Sequence, residues 1–244
     1  MKIKIAKYTD AGGRKVNEDF LVTVRNGQSV LCAVADGLGG HGMGDEASRL
    51  VCSVAEDKFL KAGRPGESLL EDIFLEGHAA LIEKQKQLHA SGKMRTTLNL
   101  WLTDGEKAFW GHIGDSRTYY FKDKQLCRRT FDHSVPQMLC AAGQIKESEI
   151  RFHEDRNRLL RVLGVEDRAP AFENEEPVTL SGGEQFLLCS DGFWELISEE
   201  QMLLCLDEAE EPGLWLDNMT ELVSRNSRNR STDNITAVAL WVYP

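Results

Sequence analysis

Short apolar runs separated by Gly, Asn and Asp turns predict that the chain begins with β-strands joined by tight connections. Residues 3–9, 20–25 and 30–35 are each expected to form a strand, because apolar positions alternate or run continuously there. The pair Asn26-Gly27 predicts a hairpin turn between the second strand and the third. The chain therefore begins β-β-β, which differs from the β-α-β unit of parallel sheets.

Apolar residues then recur at helical spacing in two long segments, 45–61 and 67–90, which predicts a pair of amphipathic helices. Further strands are predicted at 96–103, 107–113, 117–121, 125–129, 184–190 and 235–243, and further helices at 199–208 and 213–225. Many antiparallel strands with helices grouped in the middle and near the end indicate an α+β fold. We expect mainly antiparallel sheets whose outer faces are covered by helices.

Residues 134–168 break this pattern, because they are polar, helical only in part, and rich in arginine. We interpret them as a helix followed by an irregular insertion. The chain contains no internal repeat and no low-complexity linker, so a single domain over residues 1–244 is predicted.

Composition and charge narrow the classes of function. The net charge is −10, from 39 acidic and 29 basic residues, which argues against nucleic acid as a partner. The N-terminus has no apolar core of a signal peptide, and no apolar run approaches the roughly 20 residues of a membrane helix, so no membrane insertion is expected. The 6 scattered cysteines form no CxxC pair, which predicts buried, reduced thiols in a cytoplasmic protein.

Carboxylates recur where the predicted strands begin or end. Those that follow a strand are Asp36, Asp115 and Asp191, and those that precede one are Glu18, Asp19 and Asp233. Any one of them alone is most simply a turn residue or a helix cap. In antiparallel pairs, however, the end of one strand lies beside the start of its neighbour, so all of them can meet at one edge. Buried carboxylates repel unless cations neutralise them, which predicts a site for Mg²⁺ or Mn²⁺ that can bind a phosphoryl group.

The glycine-rich loop after the third strand has an alternative interpretation. Gly37, Gly39 and Gly42 match the pattern G-x-G-x-x-G, with a strand before them and a helix after them, as in dinucleotide-binding enzymes. Against this, Asp36 would lie against a pyrophosphate, and the surrounding units are hairpins. For this stretch alone the alternative stays open.

A series of motifs follows in a fixed order along nearly the whole chain. They are GGRKVNEDF, AVADGLGGHGMGDEAS, TTLNLWL, GHIGDSRTYYF, FDHSVPQML, LLRVLG, LLCSDGFWELI and STDNITAVAL. In this order they resemble the PP2C-type (PPM) metal-dependent protein serine/threonine phosphatases in their compact bacterial form. The resemblance implies a four-layer α-β-β-α sandwich. It also implies hydrolysis of phosphoserine and phosphothreonine by direct attack of a metal-bridging water.

The resemblance also implies a set of metal ligands. By it, Asp36 bridges two Mn²⁺ or Mg²⁺ ions, and Glu18 and the carbonyl of Gly37 help to hold one of them. Asp191 and Asp233 help to hold the other.

Further roles follow from the same resemblance. Asp115 together with Asp191 matches a weaker site for a third ion. Asp19 and Asn234 match positions behind the ligands, where Asp19 would orient metal-bound waters. Arg14 matches the arginine that binds the substrate phosphate, a task that suits its planar guanidinium.

The sequence departs from the family pattern in three places, one of which is the LTRALG stretch, which reads Leu160-Arg161-Val162-Leu163-Gly164 here. Where some members have a histidine that is proposed to protonate the leaving oxygen, this chain has Leu38, and His41 lies three residues further on. The usual small Gly-Thr-Thr stretch reads Arg95-Thr96-Thr97, a change expected to alter substrate or loop behaviour.

The resemblance finally implies partners and a flap. Residues 140–168 are expected to form a flap-like insertion that helps to select the phosphoprotein, with an ordinary solvated loop as the alternative. The expected partners are phosphoprotein substrates of a Ser/Thr kinase, bound by a monomer. A pseudophosphatase that uses the same fold only for binding is the alternative, and it would predict broken ligands, whereas all the expected carboxylates are present.

Overall fold

The computed structural model describes residues 1–39, 42–228 and 231–244. Its strands are β1 (Lys2–Asp10), β2 (Asp19–Asn26), β3 (Ser29–Asp36), β4 (Leu98–Thr103), β5 (Lys107–Ile113), β6 (Arg117–Lys122), β7 (Gln125–Arg129), β8 (Glu173–Asn174), β9 (Val178–Thr179), β10 (Glu184–Cys189) and β11 (Ile235–Tyr243). Its α-helices are α1 (Gly44–Lys61), α2 (Glu67–Gln87), α3 (Val135–Ala141), α4 (Asp191–Trp194), α5 (Glu199–Asp207) and α6 (Pro212–Asn226), and Glu147–Phe152 is a 3₁₀ helix. The long predicted elements are confirmed. The sequence does not predict β8, β9 or α4.

The strands form two antiparallel sheets. The first sheet has the order β1-β11-β10-β6-β7, and the second has the order β2-β3-β4-β5-β8, with β9 also paired to β5. Strand β3 is antiparallel to both of its neighbours, β2 and β4. The glycine-rich loop therefore does not follow a strand of a parallel sheet, and the alternative of a dinucleotide-binding loop is wrong.

Strand β3 shows why the second sheet is covered on both faces. Leu31 and Ala33 pack into the cluster formed with α1 and α2, whose buried members include Phe59. The alternating residues Val30 and Cys32 pack into the cluster between the two sheets. Since both faces are buried, the strand is a continuous apolar run and not an alternating one.

The first sheet is covered on its outer face by α5 and α6. Met202 and Trp215 from these helices pack against Phe121 and Leu187 of the sheet. The inner faces of the two sheets meet through aromatic residues, and Trp101 lies 5.3 Å from Phe186 between ring centroids. The order of layers is therefore helix, sheet, sheet, helix, as predicted.

The chain crosses between the two sheets at one end of the sandwich. Residues 11–18 lead from β1 in the first sheet to β2 in the second, and residues 114–116 lead from β5 back to β6. Strands β3 and β10 end there, and β11 begins there, as the pairs Asp19↔Asp36 and Cys189↔Ala237 show. This end therefore gathers the segments that carry the predicted carboxylates.

Each of the 6 cysteines is a free thiol in the structure. Most are buried or partly buried, but Cys127 is exposed, so the expectation of burial fails for that residue. In the part of the chain that the structure describes, no helix is long and apolar enough to cross a membrane.

Candidate metal centre

An open cavity of about 650 Å³ lies at the end of the sandwich where the chain changes sheets. The predicted site residues that line it are Arg14, Glu18, Asp36, Gly37, Asp115, Asp191 and Asp233. The structure thus brings together every residue that was predicted to bind a metal ion or the substrate phosphate. The two residues predicted to lie behind the ligands, Asp19 and Asn234, are both buried.

Asp36 and Asp19 face each other as register partners on β3 and β2. The side chain of Asp19 points toward the other sheet, where its Oδ2 accepts a hydrogen bond of 2.7 Å from Ser190 Oγ. The same Ser190 Oγ accepts a hydrogen bond from the backbone of Thr236 at the start of β11. Asp19 therefore links the two sheets directly beneath the cavity, and it holds the strand end that carries Asp191.

The glycine-rich loop packs tightly around Glu18. A Cβ atom on Gly39 would lie 1.7 Å from Glu18 Oε2, so any side chain there would displace the carboxylate. The backbone N–H of Gly37 donates a 3.1 Å hydrogen bond to the carbonyl of Glu18. The glycines therefore permit a close approach to a carboxylate, and do not form a phosphate cradle. His41, the nearest histidine to Leu38 in sequence, lies outside the described residues.

Asn234 ties the predicted ligands from the two ends of the chain together. Its side-chain amide donates to the carbonyls of Ala11 and Val16 at 2.9 and 3.0 Å, and its Oδ1 accepts from the backbone N–H of Glu18 at 2.8 Å. These bonds hold the connection between β1 and β2 against the residue that follows Asp233. This geometry supports the predicted role of Asn234 as a residue that positions ligands.

Asp191 is delivered by α4, which packs against the same segment. A Cβ atom on Gly192 would lie 2.1 Å from the carbonyl oxygen of Asn234, so only glycine permits this contact. Glu195, one helical turn after Asp191, lines an adjoining cavity and pairs with Arg156 at 3.1 Å. The sequence analysis did not single out Glu195, although its spacing of four from Asp191 on a helix is a detectable signal.

Asp115 lies in the second crossover and is 4% exposed. Its carbonyl accepts a 2.9 Å hydrogen bond from the indole N–H of Trp194 on α4. The guanidinium of Arg117 stacks on the Trp194 ring, 3.4 Å from the centroid, and makes two 2.7 Å hydrogen bonds to the carboxylate of Asp132. Trp194, Arg117 and Asp132 thus form a buried group that holds the backbone of Asp115 in place. The sequence analysis missed it, although a charged residue in the apolar run after Ser116 is unusual.

Burial and mutual repulsion raise the pKa values of the carboxyl groups of Asp19, Asp36, Asp115 and Asp191. Loss of hydration is the largest cause in each case, and neighbouring carboxylates add to it for Asp36 and Asp191, whose pKa values lie well above the usual range. The pKa of Asp115 rises to about 8, and that of Asp19 rises to about 6 despite its hydrogen bond from Ser190. Bound cations would relieve this repulsion and displace the protons.

The donor set matches the chemistry of Mg²⁺ and Mn²⁺. All the side-chain donors are carboxylate oxygens, which hard divalent cations prefer. In the described part of the chain, Oδ1 of Asp191 and Oδ1 of Asp19 are buried and have no hydrogen-bond partner. Buried carboxylate oxygens are rarely left in this way, so their free lone pairs fit the binding of metal ions or of metal-bound waters.

A second group of possible ligands, His112, His133 and Glu173, lies close together elsewhere. The two imidazole rings are stacked at 4.5 Å with 13° between their planes, so no single cation can lie in both ring planes. Arg161 donates a 2.6 Å hydrogen bond to Glu173 Oε1 and already neutralises it. We therefore interpret this group as two buried histidines, of which His133 pairs at the surface with Glu173, in agreement with the structural roles predicted for the histidines.

The predicted flap lies beside the cavity. Arg151 in the 3₁₀ helix donates hydrogen bonds of 2.7 and 2.8 Å to the carbonyls of Trp194 and Ile197, and a third of 2.7 Å to Glu199. Residues Asn157, Arg158, Leu159 and Val162 further along line the cavity itself. Part of the insertion is thus anchored to α4 and α5, and part is open to a bound substrate.

Comparisons with known proteins agree with this geometry. Residues 11–235 match the family described as Protein phosphatase 2C. The serine/threonine protein phosphatase PstP of Mycobacterium tuberculosis is 32% identical over 229 residues, which cover 89% of this chain and 42% of that protein, so the chain spans less than half of that relative. Protein phosphatase PhpP of Streptococcus pneumoniae is 28% identical over 244 residues, covering 96% of this chain and 95% of the relative. The crystal structure of the PstP catalytic domain in complex with 2 manganese ions superimposes with a TM-score of 0.83 at 29% identity, covering 99% of each chain.

Proposed function

The chain belongs to the protein phosphatase 2C family, and we propose that it hydrolyses phosphoserine and phosphothreonine in proteins in a reaction that requires Mn²⁺ or Mg²⁺. The observation that carries this proposal is the convergence of carboxylates from both sheets on one open cavity.

Asp36 has the central position in the proposed site. It ends β3, beside Gly37 and close to Glu18 on one side, and it repels Asp191 and Asp233 across the cavity on the other. A carboxylate between two groups of ligands suits a bridge between two cations. When bound there, such ions supply an activated water as the nucleophile and neutralise the charge of the phosphoryl group.

Arg14 is proposed to bind the phosphate of the substrate. Its side chain is 56% exposed and lies at the cavity beside Asp233, so a phosphate entering from solvent can reach it. The planar guanidinium offers paired donors to two phosphate oxygens. Arg14 would therefore orient the phosphate next to Asp233, at the edge of the group of carboxylates.

The alternative of a pseudophosphatase predicts that ligands are missing or displaced. All the expected carboxylates are present, and all of them line the same cavity. The observations therefore favour an active enzyme.

We further propose that the substrates are phosphoproteins made by a Ser/Thr kinase, and that the enzyme acts in the cytoplasm as a monomer. The free thiols support the cytoplasm as the compartment. The net charge of −10 supports the exclusion of nucleic acid as a partner.

The direct test is hydrolysis of p-nitrophenyl phosphate and of a phosphothreonine peptide by the purified protein. We expect turnover with Mn²⁺, its loss with a chelator, and its return when Mn²⁺ is restored. Asp36→Asn should reduce turnover below detection, whereas Asp57→Asn, at an exposed position on α1, should retain it. Circular dichroism establishes that each variant is folded. A folded wild-type protein without metal-dependent turnover on either substrate would instead support the binding module.

A further inference from the structure

We propose that Arg95 forms a second anion-binding subsite in the cleft, which holds a carboxylate or a phosphate close in sequence to the phosphorylated residue of the substrate. The inference rests on the proposed phosphatase function and adds a substrate class to it. That class consists of phosphosites flanked by an acidic residue or by a second phosphorylated residue.

The backbone of Arg95 is fixed next to the metal-binding loop. Its carbonyl accepts a 2.9 Å hydrogen bond from the N–H of Leu38. The following residue, Thr96, forms a β-bridge with Gly37 on one side and with Leu163, at the end of the insertion, on the other. Arg95 therefore lies between the loop that carries Asp36 and the segment proposed to contact the substrate.

The position is held rigidly by bonds to Asp36 itself. Thr96 Oγ1 and the backbone N–H of Thr97 each donate a 2.8 Å hydrogen bond to the carbonyl of Asp36. In return, the Oγ1 of Thr97 accepts a 3.0 Å hydrogen bond from the backbone N–H of Asp36. The backbone from which the Arg95 side chain extends is therefore fixed relative to Asp36. A residue that determines substrate specificity requires such a fixed position.

The side chain of Arg95 lines the cavity and lacks a hydrogen-bond partner for its Nε. This atom is buried, and none of the residues that the structure describes accepts a hydrogen bond from it. The other arginines around the cleft are paired, Arg14 with Asp233, Arg156 with Glu195 and Arg158 with Asp155. A buried N–H without an acceptor is unfavourable, and an anion that binds the more accessible part of the guanidinium offsets the cost of holding this charge there.

The position of Arg95 also separates it from the scissile phosphate. Arg14, Asp191 and Asp233 line both of the adjoining cavities, so they lie where the two meet. Arg95 lines only the larger cavity, together with Leu38 and Val162. It therefore lies to one side of the reaction centre. The group that it can reach belongs to the neighbouring part of a substrate chain.

The planar guanidinium decides the chemical class of that group. Its donors match two oxygens of a carboxylate or of a phosphate, and the residues Leu38 and Val162 of the same cavity offer no competing charge. The competing explanation is that Arg95 only offsets the charge of the carboxylates.

The test uses phosphothreonine peptides that are identical except at the residues within two positions of the phosphothreonine. These positions carry aspartate, phosphoserine, alanine or lysine, and kcat/KM is measured with Mn²⁺. We expect the wild type to prefer the aspartate or phosphoserine peptides over the alanine peptide about tenfold. In Arg95→Gln this ratio should fall close to one. Arg64→Gln, an exposed arginine paired with Asp104 and Glu106, should retain it.

The two anionic peptides identify the source of the ligand. A preference for both means that a carboxylate suffices, and a preference for phosphoserine alone means that a second phosphate is required. Each result supports the proposal if Arg95→Gln removes it. Arg95→Lys retains the charge without the planar fork, so it should retain only part of the preference, and it provides a second variant if Arg95→Gln is unstable.

Two results would overturn the subsite. One is a wild-type enzyme that hydrolyses all the peptides with equal kcat/KM. The other is an Arg95→Gln variant that loses the same factor on every peptide, because a uniform loss places the side chain at the reacting phosphate. The absence of turnover on every peptide by folded, Mn²⁺-supplied wild type would overturn the phosphatase function itself, and the subsite with it.

Discussion

Arg14 donates a 2.7 Å hydrogen bond from its guanidinium to Oδ2 of Asp233, a residue near the other end of the chain. The predicted phosphate-binding side chain is therefore held beside a predicted metal ligand before any substrate binds. Asn234 fixes the same two segments through its bonds to Ala11 and Val16. Arg14 and Asp233 therefore place the predicted phosphate-binding side chain and a predicted cation ligand in direct contact.

The first prediction concerns Arg14. Arg14→Ala should raise KM for p-nitrophenyl phosphate about tenfold or more and leave kcat within a few-fold, if the side chain binds the phosphate equally in the ground and transition states. Steady-state kinetics with saturating Mn²⁺ measure this, and Arg14→Lys should show an intermediate KM. A fall in kcat at constant KM would show that the contact forms only in the transition state.

The second prediction separates Asp115 from the core ligands. Asp115→Asn removes one negative charge at nearly constant volume, so Mn²⁺ should still bind to the remaining carboxylates while turnover decreases. Isothermal titration calorimetry measures the binding and phosphatase assays measure the rate. Loss of all Mn²⁺ binding would instead place Asp115 in the core of the centre.

The third prediction tests the buried ion pair behind Asp115. The side chains of Arg117 and Asp132 are 3% and 1% exposed, so removal of one partner leaves an uncompensated buried charge. Arg117→Gln should lower the free energy of unfolding by about 3–5 kcal/mol, as measured by urea denaturation. The double variant Arg117→Gln/Asp132→Asn should recover part of this loss. If the single and the double variant are equally destabilised, the lost packing of Arg117 on Trp194 contributes more to the free energy of unfolding than the unpaired charge of Asp132.

The fourth prediction concerns the stability of the protein in mild acid. Burial, with the neighbouring His112, lowers the pKa of His133 to about 4 from its usual 6.5. Between these values the unfolded chain binds more protons, so this stabilisation is complete above about pH 6.5 and is lost as the pH falls toward 4.

His133→Asn should remove that part of the pH dependence, which amounts to up to about 3 kcal/mol. The difference in unfolding free energy between wild type and variant, measured from pH 7 to about pH 4.5, isolates this contribution from that of the carboxylates. A difference that does not change with pH would mean that His133 titrates normally.

The fifth prediction concerns the insertion of residues 140–168. Phe152 is 74% exposed and lines the adjoining cavity together with Asp191, so it is placed to contact a protein substrate. Phe152→Ala, or exchange of the insertion for that of a relative, should change the rates on phosphoproteins more than the rate on p-nitrophenyl phosphate. Equal losses on both kinds of substrate would argue for an ordinary surface loop.

Most of the fold was predictable because its strands carry a clear local pattern. The short elements β8, β9 and α4 were not, since two to four residues contain no measurable periodicity. The long helices were predicted with errors only at their ends, and α2 ends at Gln87 instead of residue 90.

The amino-acid sequence by itself predicted which carboxylates come together at one end of the sandwich. Their positions at strand ends predict one shared edge, because antiparallel pairing places the end of one strand beside the start of the next. Only the tertiary structure decided what surrounds them. The stacking of Arg117 on Trp194, the link from Ser190 to Asp19 and the unpaired Nε of Arg95 join residues that are distant in the chain. Such contacts depend on how two sheets and their helices pack together, and no local pattern of apolar and polar residues encodes that packing.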